Sequence, residues 1–487
     1  MLEEDEKYFE GKRFKRLLQR YETAMEQSGT IYMEPDELTD IAEYYAMKGR
    51  MDEANAAIEL ATSTHPDSVD PQVFLSRQQM FMGNMDEAHR ICDAIIEQGD
   101  REVQFLHAEL LLGDDDPQSA YDYLIDLYCR LPKEEEPDLF LYDSAALLYD
   151  YSYWEYAVDI LEMMRKNYAP MERAERIYIL ALLELGRSED VIPLAEQYLE
   201  THPYDIMIWV TKGEAHAAVG DLEQAYEDAQ FAIAIDPKNP HAQVLVGNCS
   251  FHLGHYEETI DVFSEYLESF PEEGSARYLL SMAYGSLGRF QEAIDEALRI
   301  DMSSPSVNGM RDGIYMHLAI TSAQLGNLQK ALEYEELGEA EEQSIEVNFD
   351  LQRGYIHLFC DDIDNAMAHF RKGLQAMPPL QTAFDVPLQC IERDRINEAI
   401  QILTLMDELY ATDVERERIA PMLAHCYYQA GNRVAFLTTF HRAIMQEPEL
   451  TASVFHLDLP HTADKQELFR SACMQIFASL PPNAPEA

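Results

Sequence analysis

Three consecutive stretches of the chain, 206–239, 240–273 and 274–307, are equal in length and repeat one pattern. Each stretch carries a glycine and, at a constant distance after it, a proline: Gly220 and Pro237, Gly254 and Pro271, Gly288 and Pro305. A period of about 34 residues, kept in register without a gap, predicts a solenoid of stacked helix pairs. Because each pair packs mainly on its neighbours, a chain of 487 residues needs no single large core to fold this way.

One unit of the repeat shows why the pattern gives two helices. Gly220 suits the left-handed end of a first helix because it lacks a Cβ, and Asp221 can cap the next helix. Small residues then form one stripe of the second helix: Ala225, Ala229 and Ala232. A stripe of alanines lets two helix backbones approach closely, so we expect Ala225 and Ala232 to be buried between helices.

The pattern resembles the tetratricopeptide repeat. Six residues match the family's positions one for one: Trp209, Gly213, Gly220, Ala225, Ala232 and Pro237. His216 departs from it, because the family usually has tyrosine there, as Tyr284 does in a later unit. The resemblance covers roughly residues 35–450 and implies an all-α fold, a right-handed α-α superhelix of about twelve helix-pair repeats.

Variation in the pattern predicts five segments. They are an N-terminal capping helix (1–34), three repeats (35–137), the five most regular repeats (138–311), four less regular repeats (312–450), and a C-terminal capping helix and tail (451–487). Pro387 stands inside an expected first helix and predicts a kink or a late helix start. Eight glycines are predicted to end first helices: Gly49, Gly83, Gly186, Gly220, Gly254, Gly288, Gly326 and Gly431.

Charge and composition bound the partners. The chain has 36 Lys and Arg against 90 Asp and Glu, a net charge of −54. This balance argues against nucleic acid and against anionic membrane surfaces, and its simplest role is solubility. No apolar run is long enough to span a bilayer, and seven scattered cysteines favour free thiols in the cytoplasm.

Motifs for chemistry are not found in the sequence. It has no glycine-rich phosphate loop and no H-E-x-x-H zinc motif, and His252 and His255 are separated by a turn glycine. We therefore expect no cofactor, no metal and no enzymatic activity. An enzyme with a site in the irregular stretch 380–416 is the less favoured alternative, since triad partners meet only in space.

The resemblance implies that a protein or peptide partner binds on the concave face formed by the first helices. Counting the family's positions onto this chain gives the candidate binding residues: Tyr142, Tyr149, Arg173, Arg176, Met207, Val210, Glu214, Asn248, Phe251, Tyr278 and Met282. The early repeats contribute acidic residues at the same positions: Asp36, Glu43, Glu102 and Glu109. The family's clamp for chaperone tails needs Lys and Asn where Val210 and Glu214 stand, so that ligand is not supported.

The leading hypothesis is a non-catalytic scaffold or adaptor that binds a protein segment in its groove, with residues 138–300 as the preferred surface. Aromatic residues are frequent anchors of interfaces, and Arg173 and Arg176 could take a carboxylate of the partner. Pairing of these arginines with Glu172 or Glu175 is the structural alternative. A self-assembling structural solenoid is the alternative function, and the sequence leaves the oligomeric state open.

Overall fold

The fold of the chain was described from a computed structural model. The structure describes residues 8–26, 32–132, 136–341, 348–410, 418–460, 462 and 464–479. These residues form α-helices, one short 3-10 helix and connecting turns, with no β-strand within the described ranges, so the predicted all-α class is confirmed. The chain divides into two compact units, Met1–Ile235 (unit 1) and Asp236–Ala487 (unit 2).

Unit 1 consists of a leading helix and six helix pairs within its described residues. The leading helix is α1 (Lys12–Glu26). The pairs are α2 (Pro35–Met47) and α3 (Met51–Thr64), α4 (Val69–Phe81) and α5 (Met85–Ala94), α6 (Arg101–Gly113) and α7 (Pro117–Arg130), α8 (Pro137–Asp150) and α9 (Trp154–Asn167), α10 (Glu172–Glu184) and α11 (Ser188–Thr201), and α12 (Ile206–Ala218) and α13 (Leu222–Ile235).

Unit 2 contains six further pairs in the part of it that the structure describes. They are α14 (Pro240–His252) and α15 (Tyr256–Ser269), α16 (Gly274–Ser286) and α17 (Phe290–Ala297), α18 (Arg311–Gln324) and α19 (Leu328–Glu341), α20 (Phe349–Phe359) and α21 (Ile363–Gln375), α22 (Leu380–Glu392) and α23 (Ile396–Leu409), and α24 (Ile419–Gln429) and α25 (Arg433–Gln446). A 3-10 helix (Pro305–Val307) follows α17, and α26 (Pro448–Phe455) and α27 (Lys465–Ser479) follow the last pair. The twelve pairs agree with the predicted number of repeats.

One left-handed residue joins the two helices of each pair. The eight glycines predicted at these turns have φ between 70° and 87°. The other four turns use residues that tolerate positive φ less well, with φ from 58° to 64°: Asp115, Ser152, Asp361 and Asp394. In the α12–α13 turn, the Gly220 amide donates to the Ala217 carbonyl at 3.1 Å and Asp221 Oδ1 accepts from the Gln224 amide at 3.2 Å. The predicted cap is therefore present.

Small residues set the spacing of the helices within a pair. Ala225 and Ala232 are fully buried, as predicted from the alanine stripe. In unit 2 a Cβ added to Gly247 would lie 2.4 Å from the ring of Phe263, which is itself fully buried. A Cβ added to Gly354 would likewise lie 2.4 Å from the ring of Phe370. At these positions a glycine is required because an aromatic ring occupies the space of a side chain.

The late helix start predicted from Pro387 is wrong. Helix α22 begins at Leu380 and continues through Pro387 to Glu392. The proline removes one backbone donor from the helix, but its neighbours Ala383 and Val386 are fully buried, so packing holds the segment helical in spite of the proline. The end of the predicted C-terminal tail, residues 480–487, and the first seven residues lie outside the described ranges.

No helix among the described residues is both long and apolar enough to cross a membrane.

Candidate functional site

A groove with a volume of about 980 Å³ lies in unit 1. Its lining comes mainly from the first helices of the first four pairs, α2, α4, α6 and α8. Phe9 precedes these helices and Arg173, from α10, completes the lining. We call this surface the unit-1 groove. It is formed by the first helices because consecutive first helices contact one another, as α2 contacts α4 and α4 contacts α6.

Negative charge dominates the lining. Eight carboxylates face the unit-1 groove: Asp36, Asp40, Glu43, Asp70, Glu102, Glu109, Asp143 and Asp150. Three guanidinium groups accompany them: Arg77, Arg101 and Arg173. The formal excess is five negative charges, in a concave surface where the low-dielectric walls strengthen the potential.

Two arginines of the groove already have carboxylate partners. Arg77 makes a bidentate contact with Glu109, at 2.8 Å from Nε and 2.7 Å from an amino nitrogen, and reaches Glu102 at 3.3 Å. Arg101 contacts Asp143 at 2.6 Å. Burial raises the pKa of Asp143, although the charge and hydrogen bond of Arg101 oppose that rise. These arginines therefore offset the charges of Glu109 and Asp143.

The carboxylates on α2 and α4 have a different environment. Burial raises the pKa of Asp40, and the charge of Asp36 adds to the rise against the opposing hydrogen bond that Tyr8 donates to Asp40. Burial also raises the pKa of Asp70, and the charges of Asp36 and Asp40 are among those that add to it. Burial and the charge of Asp36 thus disfavour the ionised forms of Asp40 and Asp70. A positive charge placed among them would relieve this repulsion.

Apolar side chains accompany these charges. Phe74 and Phe105 line the groove from α4 and α6. Phe81, at the end of α4, also lines it and is 92% exposed, and the nearby lining residue Met47 is 40% exposed. An aromatic ring left this exposed on a concave surface offers a contact that the isolated chain does not fill.

Six residues placed on the concave face from the sequence line the unit-1 groove: the candidate binding residues Tyr142 and Arg173, and the acidic residues Asp36, Glu43, Glu102 and Glu109. Tyr149 lies on the same helix as Tyr142 and is half-buried; burial raises its pKa, as does the charge of Glu184. Arg176 is half-buried and contacts Asp205 at 2.9 Å. The structural partner of Arg176 is therefore Asp205, which also caps α12, rather than Glu172 or Glu175.

The predicted residues of α12 differ in their exposure. Met207 is partly exposed and Glu214 is exposed. Val210 is only 1% exposed, so its side chain has no surface to offer a partner. Its burial follows from the contact between the first helices α10 and α12.

The remaining predicted residues lie on first helices of unit 2 and are all partly buried: Asn248 and Phe251 on α14, and Tyr278 and Met282 on α16. The ring of Phe251 packs against Tyr256 with centroids 5.7 Å apart. The ring of Tyr278 packs against His317 at 5.9 Å, and burial raises the pKa of Tyr278. Intramolecular packing therefore occupies part of both aromatic surfaces.

Several groove residues were not singled out from the sequence, although a signal for two of them exists. Asp70 stands one repeat length after Asp36, and Arg77 stands one repeat length after Glu43. Counting one repeat length onward from Asp36 and Glu43 of α2 therefore gives Asp70 and Arg77 of α4. Phe81 has no such signal, because its exposure depends on where α4 ends against its neighbours.

Comparison with known families supports the repeat assignment. A family model described as tetratricopeptide repeat matches residues 210–273 and 252–306. The match falls on the units with the most regular spacing, and the twelve turns with one left-handed residue continue the same pattern along the described chain. Residues 210–306 of the chain therefore match the tetratricopeptide repeat.

Solved structures similar to this chain include several of MamA. The structure titled MamA MSR-1 C2 is 20% identical in sequence and has a TM-score of 0.32. The match covers 35% of this chain and 95% of the MamA chain. MamA 41-end from Desulfovibrio magneticus RS-1 is 17% identical in sequence and has a TM-score of 0.33. That match covers 36% of this chain and 97% of the MamA chain. These likenesses carry no information about a partner. No curated protein sequence matches the chain.

A buried polar cluster explains where one repeat departs from the family pattern. His216 stands at the usual tyrosine position, and its Nδ1 lies 2.6 Å from Asp228 Oδ2. Lys212 Nζ donates to the other oxygen of Asp228 at 3.1 Å. All three residues are buried, so Asp228 supplies the partner that makes histidine acceptable at this position.

Two other pairs resemble catalytic arrangements but are structural. Cys92 lies within 3.7 Å of the His107 ring, yet burial raises the pKa of this fully buried thiol to about 11, so it stays protonated at neutral pH. Ser281 donates to the Ala293 carbonyl at 2.6 Å and accepts from His317, so its proton is not available to the histidine. Within the described ranges, no group of three or more His, Cys, Asp or Glu side chains could hold a metal ion.

Proposed function

We propose that this protein is a non-catalytic adaptor that holds a segment of another protein in the groove formed by its first helices. Proteins built from tetratricopeptide repeats act in general as interaction scaffolds for proteins or peptides. The observation that carries the specific proposal is the unit-1 groove, a concavity of about 980 Å³ with an exposed aromatic ring on its lining. A segment that covers Phe81 would remove apolar surface from water and gain free energy by doing so.

The predicted binding residues extend this proposal along unit 1. Tyr142 and Arg173 lie in the groove itself. Tyr149 lies further along α8, and Met207 and Glu214 lie on the later first helix α12, where they would contact a longer segment. We retain Arg176 in the surface as a positioning residue, because it holds Asp205 at the start of α12. Val210 is left out because it is buried.

In unit 2, the first helices α14 and α16 present a second candidate surface with Asn248, Phe251, Tyr278 and Met282. The rings of Phe251 and Tyr278 are partly covered by neighbouring side chains, whereas Phe81 in the unit-1 groove is 92% exposed.

Site-specific photo-crosslinking tests the proposal. A variant Tyr142→p-benzoylphenylalanine places the reactive group in the unit-1 groove. The matched control is Tyr156→p-benzoylphenylalanine on α9, a second helix with no residue in the groove lining. We expect crosslinks from position 142 to one defined segment of another protein, located by mass spectrometry, and none to that segment from position 156. Crosslinks to the same segment only from second helices would place the site on the other face and refute the proposal.

A further inference from the structure

We propose that the segment bound in the unit-1 groove is basic, with Lys or Arg side chains placed among Asp36, Asp40 and Asp70 and an apolar side chain packed on Phe81. This inference rests on the proposed function and specifies the chemistry of the partner. It concerns one end of the groove, formed by α2 and α4.

The distribution of charge within the groove is the first argument. The guanidinium groups of Arg77 and Arg101 contact Glu102, Glu109 and Asp143, which lie on α6 and α8. These contacts are made to α6 and α8, whereas Asp36, Asp40 and Asp70 lie on α2 and α4. Arginine and lysine are the side chains that carboxylates of this kind bind most strongly, through charge-assisted hydrogen bonds.

The arrangement of the three carboxylates is the second argument. Asp36 and Asp70 occupy equivalent positions on adjacent first helices, one repeat length apart, and Asp40 lies one turn after Asp36. Burial raises the pKa values of Asp40 and Asp70, and the charge of Asp36 adds to both rises. Charge repulsion maintained at an exposed concave surface is typical of a site that a ligand of opposite charge completes.

The apolar part of the site is the third argument. Phe81 ends the helix that carries Asp70, and Phe74 lies between them on α4 and also lines the groove. Phe81 is 92% exposed. A ligand made only of charge, such as an inorganic cation, would leave this ring in water, whereas a protein segment with basic and apolar side chains would use both features.

The charge of the whole chain favours a foreign basic segment over a second copy of this chain. The face of α1 that points to solvent carries exposed cations: Lys12, Arg13, Lys15, Arg16 and Arg20. This helix could approach the groove of another copy, but its apolar side chains Phe14 and Tyr21 are already buried against its own fold. Two chains with a net charge of −54 also repel, whereas a basic segment is attracted by the same field.

The test uses three short fluorescein-labelled peptides of equal length, one of Lys and Leu, one of Glu and Leu, and one of Lys and Ser. We expect the Lys/Leu peptide to bind the full chain, by fluorescence anisotropy, about tenfold or more tightly than either of the others. The double variant Asp36→Lys, Asp70→Lys should weaken that binding by about tenfold or more, and Phe81→Ser should weaken it as well. The matched control Glu59→Lys, an exposed position of second helix α3, should leave binding unchanged.

Each outcome separates the alternatives. If the Lys/Leu peptide binds the double variant Asp36→Lys, Asp70→Lys as tightly as it binds the Glu59→Lys control, the peptide is attracted to the acidic chain as a whole. That result would overturn the inference. The milder variant Asp36→Asn, Asp70→Asn serves if the lysine variant does not fold, as checked by circular dichroism. Self-association in sedimentation velocity that is lost in a Lys12→Glu, Arg16→Glu variant would assign the groove to a second copy and also overturn it. Crosslinks from position 142 to a segment without basic residues would retain the proposed function and refute this inference.

Discussion

Replacing Gly247 with alanine tests how tightly the helix pairs are packed. The added methyl carbon would lie 2.4 Å from the Phe263 ring, whereas carbon atoms normally approach to about 3.5–4.0 Å. The ring is fully buried and cannot turn into solvent, so we place the overpacking cost near 3 kcal/mol, the upper end of the usual range of about 1–3 kcal/mol. Alanine is favoured over glycine in a helix by about 1 kcal/mol. The expected net loss is therefore about 2 kcal/mol.

Urea denaturation followed by circular dichroism measures this loss. Gly99→Ala is the control, because no atom lies within 4 Å of the added carbon, and it should match the parent. Gly247→Ala combined with Phe263→Leu should lose less stability than the two single variants together, since the smaller side chain makes room for the methyl group. A Gly247→Ala protein as stable as the parent, or a double variant with strictly additive losses, would refute this account of the packing.

Three further predictions concern the packing and charges of unit 1. Ala225→Leu should cost about 1–3 kcal/mol in urea denaturation because Ala225 is fully buried, and an unchanged midpoint would contradict the helix register. Asp228→Ala should cost about 3–5 kcal/mol because it leaves Lys212 and His216 buried without their shared partner; a loss below about 1 kcal/mol would show that the cluster is not cohesive. Burial raises the pKa of Asp70 in the folded state above 3.8, its ordinary value in the unfolded chain. Ionising Asp70 therefore destabilises the folded state, and this cost appears as the pH rises above 3.8. Asp70→Asn should therefore raise the melting temperature at neutral pH, by an amount that shrinks as the pH falls towards 3.8, and a pH-independent effect would contradict the assignment.

Much of the fold could be predicted because one backbone requirement recurs in every repeat. A first helix must end in a left-handed residue, and glycine recurring at the repeat length marks that position in the sequence. The turns at Asp115, Ser152 and Asp394 adopt the same conformation without glycine, so composition alone does not reveal them. The late start expected for α22 was wrong because local propensity favours a break at Pro387, whereas packing of the buried face of α22 keeps the segment helical.

The candidate site was less predictable. Counting repeat positions identifies the face on which a residue lies. The residues chosen in this way that line the groove are Tyr142, Arg173, Asp36, Glu43, Glu102 and Glu109. It does not give exposure, which depends on how closely adjacent first helices approach, and Val210 is buried for that reason. The groove lies largely in repeats that match the family pattern less well than the central ones, because its shape depends on side-chain volumes and ion pairs such as that of Arg77 with Glu109.

Carboxyl footprinting tests the central claim, that the unit-1 groove holds a partner segment, most directly. The full chain is labelled with a carbodiimide and an amine, free and in complex with a peptide that has the sequence of the segment crosslinked from position 142, and the modified residues are quantified by mass spectrometry. We predict that Asp36 and Asp70 are labelled several-fold less in the complex, while exposed Glu59 on α3 is labelled equally in both states. Protection of second-helix carboxylates with unchanged labelling of Asp36 and Asp70 would contradict the account.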